Sequence, residues 1–497
     1  MFKTKRIVSI LICIFGLVLL VSCSAQGGMA NGFPEGAPQA PGGMYDESED
    51  YLELHEQGFI DTSVNNKLNV SLDSSNAAYS NIRKRLKSGY LPYTDSVNIE
   101  QMLNYFNYSY VNNSSEQLQS FLEIGNCPWN ESSKLLQVAV KAKDFEINTD
   151  QQNNFVFLLD VSGSMYASDK LPLMIDAFKL LVDNLNDNDR VSIVTYAGSD
   201  SVLLDGGYGY EKTKINAIIS DLSAGGSTAG AAGIKTAYEL AQKHFISGGN
   251  NRVFLATDGD FNVGIRNTNE LKEFISEKRQ TGVYLSLFGF GMGNYHGSTM
   301  DTLAQAGNGQ HYYIDSILEA QKIFVSELGG TLQSVAKDAK VQVELNPEVV
   351  EKYRVIGYEN KILTDEEFEN NETDAGEIGA GHFTICLVEV VLKENIDTTL
   401  SNMYAKCTLR YKDILDSELN KEIITECKVF SETPSNDFVW ASAVAEFGLL
   451  LRNSEYKANA NYASIIERAN KPELLNDAYK EEFIELVRIA SDLGVTN

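Results

Sequence analysis

The chain predicts an α/β fold: a central, mostly parallel sheet with helices on both faces, flanked by a small α+β N-terminal extension and a β-rich plus helical C-terminal region. Three observations carry this reading. Between about residues 152 and 335, short apolar β-rich runs alternate with stretches of helical periodicity, the signature of repeated β-α units. Beyond Lys340 the pattern changes to separated strands, and helical stretches then close the chain. A length of 497 residues leaves room for about three domains.

The first residues read as an address. Lys3, Lys5 and Arg6 precede an apolar run, Ile7 to Val21, and Leu20-Val21-Ser22-Cys23 sets a small residue before a cysteine, as in a bacterial lipoprotein signal. A single membrane-spanning anchor is the other reading, but about fifteen apolar residues fall short of the roughly twenty a span needs. Residues 1–22 are therefore expected to be removed, leaving lipid on Cys23 and a protein tethered outside the cytoplasm, at the cell surface or facing a periplasm. Residues 23–60 read as a disordered tether. Ala25 to Gly43 is rich in Gly, Ala, Pro and Gln, and the acidic run Asp46-Glu47-Ser48-Glu49-Asp50 extends it by repulsion.

Residues 61–148 form the predicted extension, with helices at Ala77 to Leu86 and Ile99 to Phe106 and a strand at Leu135 to Lys141. Its aromatic cluster, Tyr105 to Tyr110, is expected to pack against the next domain. Residues 149–337 form the central unit. Its strands are Phe155 to Leu159, Val191 to Tyr196, Val202 to Leu204, Val253 to Ala256, Val283 to Phe288 and His311 to Ile314. Leu171, Ile175, Phe178, Val182 and Leu185 recur at helical spacing, and further helices follow at Ala231 to Phe245, Glu270 to Arg279 and Ser316 to Val335. Residues 338–497 supply strands at Val341 to Leu345, Tyr353 to Tyr358, Phe383 to Leu392, Tyr404 to Tyr411 and Ile423 to Phe430. Helices at Val439 to Arg452, Tyr462 to Ala469 and Glu473 to Leu493 follow, the last with a core stripe of Leu475, Tyr479, Phe483, Leu486 and Ala490. The strands of this region are expected to pair with those of the extension.

The chemistry concentrates in Asp160-Val161-Ser162-Gly163-Ser164-Met165, directly after the apolar run Phe155 to Leu159. Alternate carboxylate and hydroxyl oxygens on such a turn can converge on one hard cation. An N-capping turn would use the same residue types, because Ser and Asp also accept from the free amides that open a helix. Two further segments favour the cation. Gly225-Gly226-Ser227-Thr228-Ala229-Gly230 offers the Thr228 hydroxyl before a helical run, and Thr257-Asp258-Gly259 offers a carboxylate after a second buried strand. In a parallel sheet the carboxyl ends of neighbouring strands meet at one edge, so Asp160, Ser162, Ser164, Thr228 and Asp258 are brought together there.

That order, D-x-S-x-S, then a Thr in a Gly-rich loop, then T-D-G, resembles the metal site of the von Willebrand factor type A domain, a Rossmann-like sandwich. The resemblance implies direct ligation by Ser162, Ser164 and Thr228, with Asp160 and Asp258 acting largely through water and one position left for a carboxylate of a ligand. Arg252 to Gly264, Leu287 to Tyr295 and Cys127-Pro128-Trp129-Asn130 look like a bacterial envelope subfamily that carries this domain between two flanking regions. The likeness covers about residues 65 to 490. It is loose at Leu72-Asp73-Ser74-Ser75-Asn76, where the subfamily has a more regular segment.

Composition narrows the function. The formal net charge is −27, and removing Lys3, Lys5 and Arg6 with the leader leaves about −30, which argues against nucleic acid and against docking on anionic lipid. The five histidines show no H-E-x-x-H spacing, and there is neither a G-x-S-x-G elbow nor a phosphate loop. Gly289-Phe290-Gly291-Met292-Gly293-Asn294 does not follow the first strand and lacks the third Gly at the spacing, and the acidic residue about twenty positions on, that a dinucleotide site needs, so it is expected to shape the rim of the metal edge instead. Asp258 and Asp260 could suggest two-metal hydrolysis, although residues two apart on a loop point differently. Cys127, Cys386, Cys407 and Cys427 remain after the leader, with buried free thiols and disulfides both open. The expectation is a non-enzymatic, lipid-anchored protein that binds a protein partner's carboxylate through a divalent cation, Mg²⁺ before Mn²⁺ or Ca²⁺, with no small-molecule substrate. The alternative is an envelope assembly factor in which the metal only stabilises the central unit.

Overall fold

In the computed structural model the described residues are 49 and 51–494, apart from 73–74, 145–151, 227–230, 260–267, 293–294, 333, 374, 414–419 and 476. The central sheet has six strands in the order His311–Ile314, Val283–Phe290, Asn250–Thr257, Asn153–Asp160, Arg190–Tyr196, Asp200–Tyr208. All neighbours are parallel except the last pair, which is antiparallel. Side chains alternate along the central strand: Phe155, Phe157 and Leu159 enter one core, Val156 and Leu158 the other. The first core is closed by helices Leu171–Asp183, Lys212–Ser220 and the segment from Ile317 to Ser326. The second is closed by Ala231–Lys243, Thr268–Arg279 and Gly297–Ala306. Both faces are thus covered, which is why every inner strand is apolar at successive positions.

Around this unit lies a three-layer body. One sheet runs Ile60–Asp61, Val350–Ile356, Phe383–Leu392, Lys134–Ala142, Leu118–Asn126, Phe430–Ser431; the other runs Gly376–Gly379, Ser334–Leu345, Ala405–Asp413, Asn420–Cys427, with Lys67–Ser71 also on Ser334–Leu345. Strands from before and after the central unit therefore share both sheets, as the pairing of Phe383–Leu392 with Lys134–Ala142 and of Ser334–Leu345 with Lys67–Ser71 shows. Cys386, Val388 and Val390 face the second sheet across a common core, while Ile385 and Leu387 face the helices Ile99–Asn104, Asn436–Leu451, Tyr462–Ala469 and Ala478–Asp492. Phe106 sits edge-on to Trp440 and Phe483, and Tyr105 stacks on Tyr79 with centroids 4.1 Å apart, so the aromatic cluster is packing. Among the described residues Cys127, Cys386, Cys407 and Cys427 are free and buried.

Several expected elements differ. The single helix over Ser316 to Val335 is broken into Ile317–Gln321, a π-helical turn Lys322–Ser326 and Leu328–Leu332, and the chain is already a strand from Ser334. Gly330, within the last of these pieces, lies so close to Ala380 that a Cβ there would sit 2.6 Å from its carbonyl oxygen. The run Ile423 to Phe430 is two strands, because the chain leaves one sheet at Cys427 and crosses to pair Phe430 with Ile124 in the other. Val202 to Leu204 extends to Asp200–Tyr208 with register shifts against Arg190–Tyr196, as an irregular edge strand does. Helices Lys212–Ser220 and Gly297–Ala306 were not foreseen, since each presents only a short apolar face.

Candidate metal centre

Asp160 ends the central strand and Asp258 follows its parallel neighbour, so sheet geometry alone sets the two carboxylates side by side. Asp160 is held from two directions: Oδ1 accepts from the Ser162 amide at 2.9 Å and Oδ2 from the Thr257 hydroxyl at 3.1 Å. Thr257 Oγ1 in turn accepts from the Gly259 amide at 3.2 Å. The Ser162 and Ser164 hydroxyls lie 3.0 Å apart. Two backbone bonds then staple the serine turn to the glycine loop, Gly225 N to Val161 O at 2.8 Å and Gly163 N to Gly226 O at 3.2 Å. Gly226 adopts φ +81°, a conformation that a side chain would strain. Thr228 follows two residues on and lies outside the described residues, as do Asp260 of the two-metal reading and Cys23.

Asp160, Ser162 and Asp258 have no exposed surface, whereas Ser164 is half-buried, Gly163 is exposed and Tyr166 is 83 % exposed. The edge is buried beneath and open on the serine side. Burial, helped by the neighbouring Asp258 charge, pushes the Asp160 carboxyl up to about 6 against its bonds to Ser162. Burying carboxylates this way is unfavourable unless a cation or strong donors compensate. The donor set is oxygen only, two carboxylates and two hydroxyls, which suits Mg²⁺, Mn²⁺ or Ca²⁺ and not a soft metal. Among the described residues no three His, Cys, Asp or Glu side chains form a metal cluster, so the candidate centre depends on the hydroxyls as much as on the acids.

Sequence reasoning missed one participant. Lys170 caps the helix Leu171–Asp183, and its Nζ donates to Asp258 Oδ2 at 2.9 Å with only 10 % of the side chain exposed. Its stem lies against Gly291, where a Cβ would come within 2.5 Å of the lysine carbons. Gly291 itself has φ +75°, and its carbonyl accepts from the Tyr313 hydroxyl at 2.6 Å. The G-F-G-M segment therefore shapes the rim, with Gly291 opposite Lys170; Gly293 and Asn294 lie outside the described residues. The available signal was Lys170-Leu171-Pro172: a proline in the first turn marks the helix start and so places Lys170 at the edge that carries Asp160.

Tyr295 points inward. Its hydroxyl bonds His311 Nε2 at 2.7 Å, His311 Nδ1 bonds Asp301 at 2.9 Å, and its ring packs on Tyr313 and Tyr51. The helix Ala77–Lys87 docks beside the same edge, with Lys84 paired to Asp169 at 3.0 Å and Arg83 paired to Asp315 and Glu319. A cavity of about 210 Å³ lies away from the carboxylate pair, lined among others by Gln101, Asp301, His311 and Lys361.

A parallel sheet covered on both faces, with this oxygen-lined edge, defines a von Willebrand factor type A domain protein, and residues 154–326 match the family described as von Willebrand factor type A domain. Residues 45–137 match a family described as von Willebrand factor, and residues 330–493 match "Uncharacterized protein YfbK, C-terminal". The chain is 38 % identical over 453 residues to "Uncharacterized protein YfbK" of Escherichia coli (strain K12), a span of 86 % of this chain and 78 % of that one. It belongs to the YfbK family. Solved structures similar to it include a von Willebrand factor type A protein from Catenulispora acidiphila (14 % identity, TM-score 0.43, 77 % of this chain and 92 % of that one) and the ArnB paralog VWA2 from Sulfolobus acidocaldarius (15 %, 0.37, 76 % and 98 %).

Proposed function

We propose that this protein binds a protein partner through a divalent cation held at the Asp160 edge, and that lipid on Cys23 anchors it outside the cytoplasm of a bacterial cell. The observation that supports this reading best is the arrangement of Asp160, Ser162, Ser164 and Asp258 at adjoining strand ends, stapled by Gly226 to the loop that carries Thr228. A bound Mg²⁺ would supply Lewis acidity and an open coordination position for a carboxylate of the partner. The chain's own part is to hold the ligands: the Ser162 amide and Thr257 hydroxyl fix Asp160, Lys170 fixes Asp258, and Ser164 faces the open side. No bond is broken in this scheme, so the protein is proposed to be a binding protein and not an enzyme.

The test is calorimetric titration of Mg²⁺ and Mn²⁺ into wild-type protein and Asp160→Ala. Saturable one-to-one binding in wild type alone supports the site, and partner capture in Mg²⁺ but not in chelator supports its use. Equal capture in chelator would sink it and bring forward an assembly role in the envelope. That second role draws on a specific observation, the shared sheets that join the regions before and after the central unit into one body.

A further inference from the structure

We infer that Lys170 is a built-in counter-cation of the metal site: its ammonium holds Asp258 in the cation-free protein, so a divalent cation binds against the lysine's charge. This deepens the function proposed above and rests on it. The geometry is direct. Lys170 Nζ lies 2.9 Å from Asp258 Oδ2, Asp258 has no exposed surface, and the lysine stem is laid along Gly291, whose missing side chain makes room for it. The ammonium is thus delivered by a built path and is not a surface charge that happens to fall nearby. Its backbone is equally placed, at the cap of the helix Leu171–Asp183 and next to Asp169, which Lys84 ties to the docked helix Ala77–Lys87.

The consequence follows from charge. Asp160, Asp258 and Lys170 together sum to −1 when ionised, where the two ligand carboxylates alone would sum to −2. A divalent cation takes the first set to +1 and the second only to neutral. Lys170 therefore weakens the hold on the metal and at the same time leaves the loaded edge positive, the sign that attracts an acidic group and repels a basic one. Arginine would keep that charge, while methionine and glutamine remove it at similar length.

The experiment is titration of Mg²⁺ into the full chain in detergent at pH 8, for wild type, Lys170→Met, Lys170→Gln and Lys170→Arg, with thermal unfolding of each in chelator and in Mg²⁺. The expected result is about tenfold tighter Mg²⁺ binding in both neutral variants, an affinity close to wild type in Lys170→Arg, and a larger Mg²⁺-induced rise in Tm where the lysine charge is gone. Two neutral variants are used so that one folded protein suffices. Unchanged or weaker binding in a folded neutral variant would overturn the inference, since a lysine that merely positions Asp258 loses affinity when removed, and would leave the metal site standing. Absence of Mg²⁺ binding in wild type would overturn the site and the inference together.

Discussion

The Arg83 joint and the Asp160 edge both bury acidic side chains, and they solve the problem differently. Between the central unit and the flanking helices, Arg83 is 2 % exposed and spends its whole guanidinium on partners: Nε and Nη2 on Asp315 at 2.8 and 2.5 Å, Nη2 on Glu319 at 2.6 Å, Nη1 on Tyr105 at 2.7 Å and on Glu482 at 3.1 Å. Five donors meet five acceptors, and the Tyr105 hydroxyl in turn donates to Glu319 at 2.8 Å. At the Asp160 edge, that carboxylate is as deeply buried but is met by an amide and a hydroxyl, both neutral. The first arrangement is complete and locks elements together; the second leaves negative charge that a cation would complete. Burial of an acid is therefore uninformative by itself, and the charge of what surrounds it separates a joint from a site.

The largest effect is expected where the complete network is broken. Arg83→Met leaves Glu319 and Asp315 buried without their cation and should cost about 3–5 kcal/mol in urea unfolding. A loss under 1 kcal/mol would mean the network is not a joint, and the contrast with the metal edge would fail.

At the edge itself, Asp160→Asn should remove the Mg²⁺-dependent rise in Tm while leaving stability in chelator unchanged or higher, because it takes away a desolvated carboxylate. A marked loss of stability in chelator would show that this acid, too, is structural.

Another buried acid sharpens the comparison through pH. Glu100 is pushed up to about 7 by burial and then by the charge of Glu359, although the Tyr358 amide donates to it. The folded state then holds a proton that the unfolded state has released between about pH 4.5 and 7, so stability contributed by this group falls as pH rises through that window. Glu100→Gln should flatten the fall, and an unchanged slope of unfolding free energy against pH would place the proton elsewhere. The smallest effect belongs to the half-exposed link between the two regions. Lys84→Ala removes its pair with Asp169 and should change stability by no more than about 0.5 kcal/mol and Mg²⁺ affinity by less than about twofold. A larger change in affinity would couple the docked helix to the site.

How much of this was legible depends on the range of the forces involved. The six strands of the central sheet and the D-x-S-x-S turn were readable because their signals are local: an apolar run covered on both faces, then oxygen-bearing residues and glycines where the chain must turn. The strand Phe383–Leu392 and the helix Tyr462–Ala469 were readable for the same reason. Lys170 was not, because its partner lies 88 positions along the chain and nothing near it in sequence asks for a carboxylate. Arg83 was hidden likewise, with partners 232, 236 and 399 positions away. The helix expected over Ser316 to Val335 is interrupted at Lys322–Ser326 and gives way at Ser334 to a strand paired with Gly379, a long-range pairing that periodicity cannot report.

Sequence by itself determined the class of fold and the edge at which Asp160, Ser162, Ser164 and Asp258 gather, since side-chain period and turn chemistry act over a few residues. Tertiary structure alone decided which strands from the two ends of the chain pair and in what register, that Asp258 is held by Lys170, and which buried acids are paired and which are not. Those outcomes depend on pairings between distant segments, which are set by how whole faces pack and not by any run of neighbouring residues.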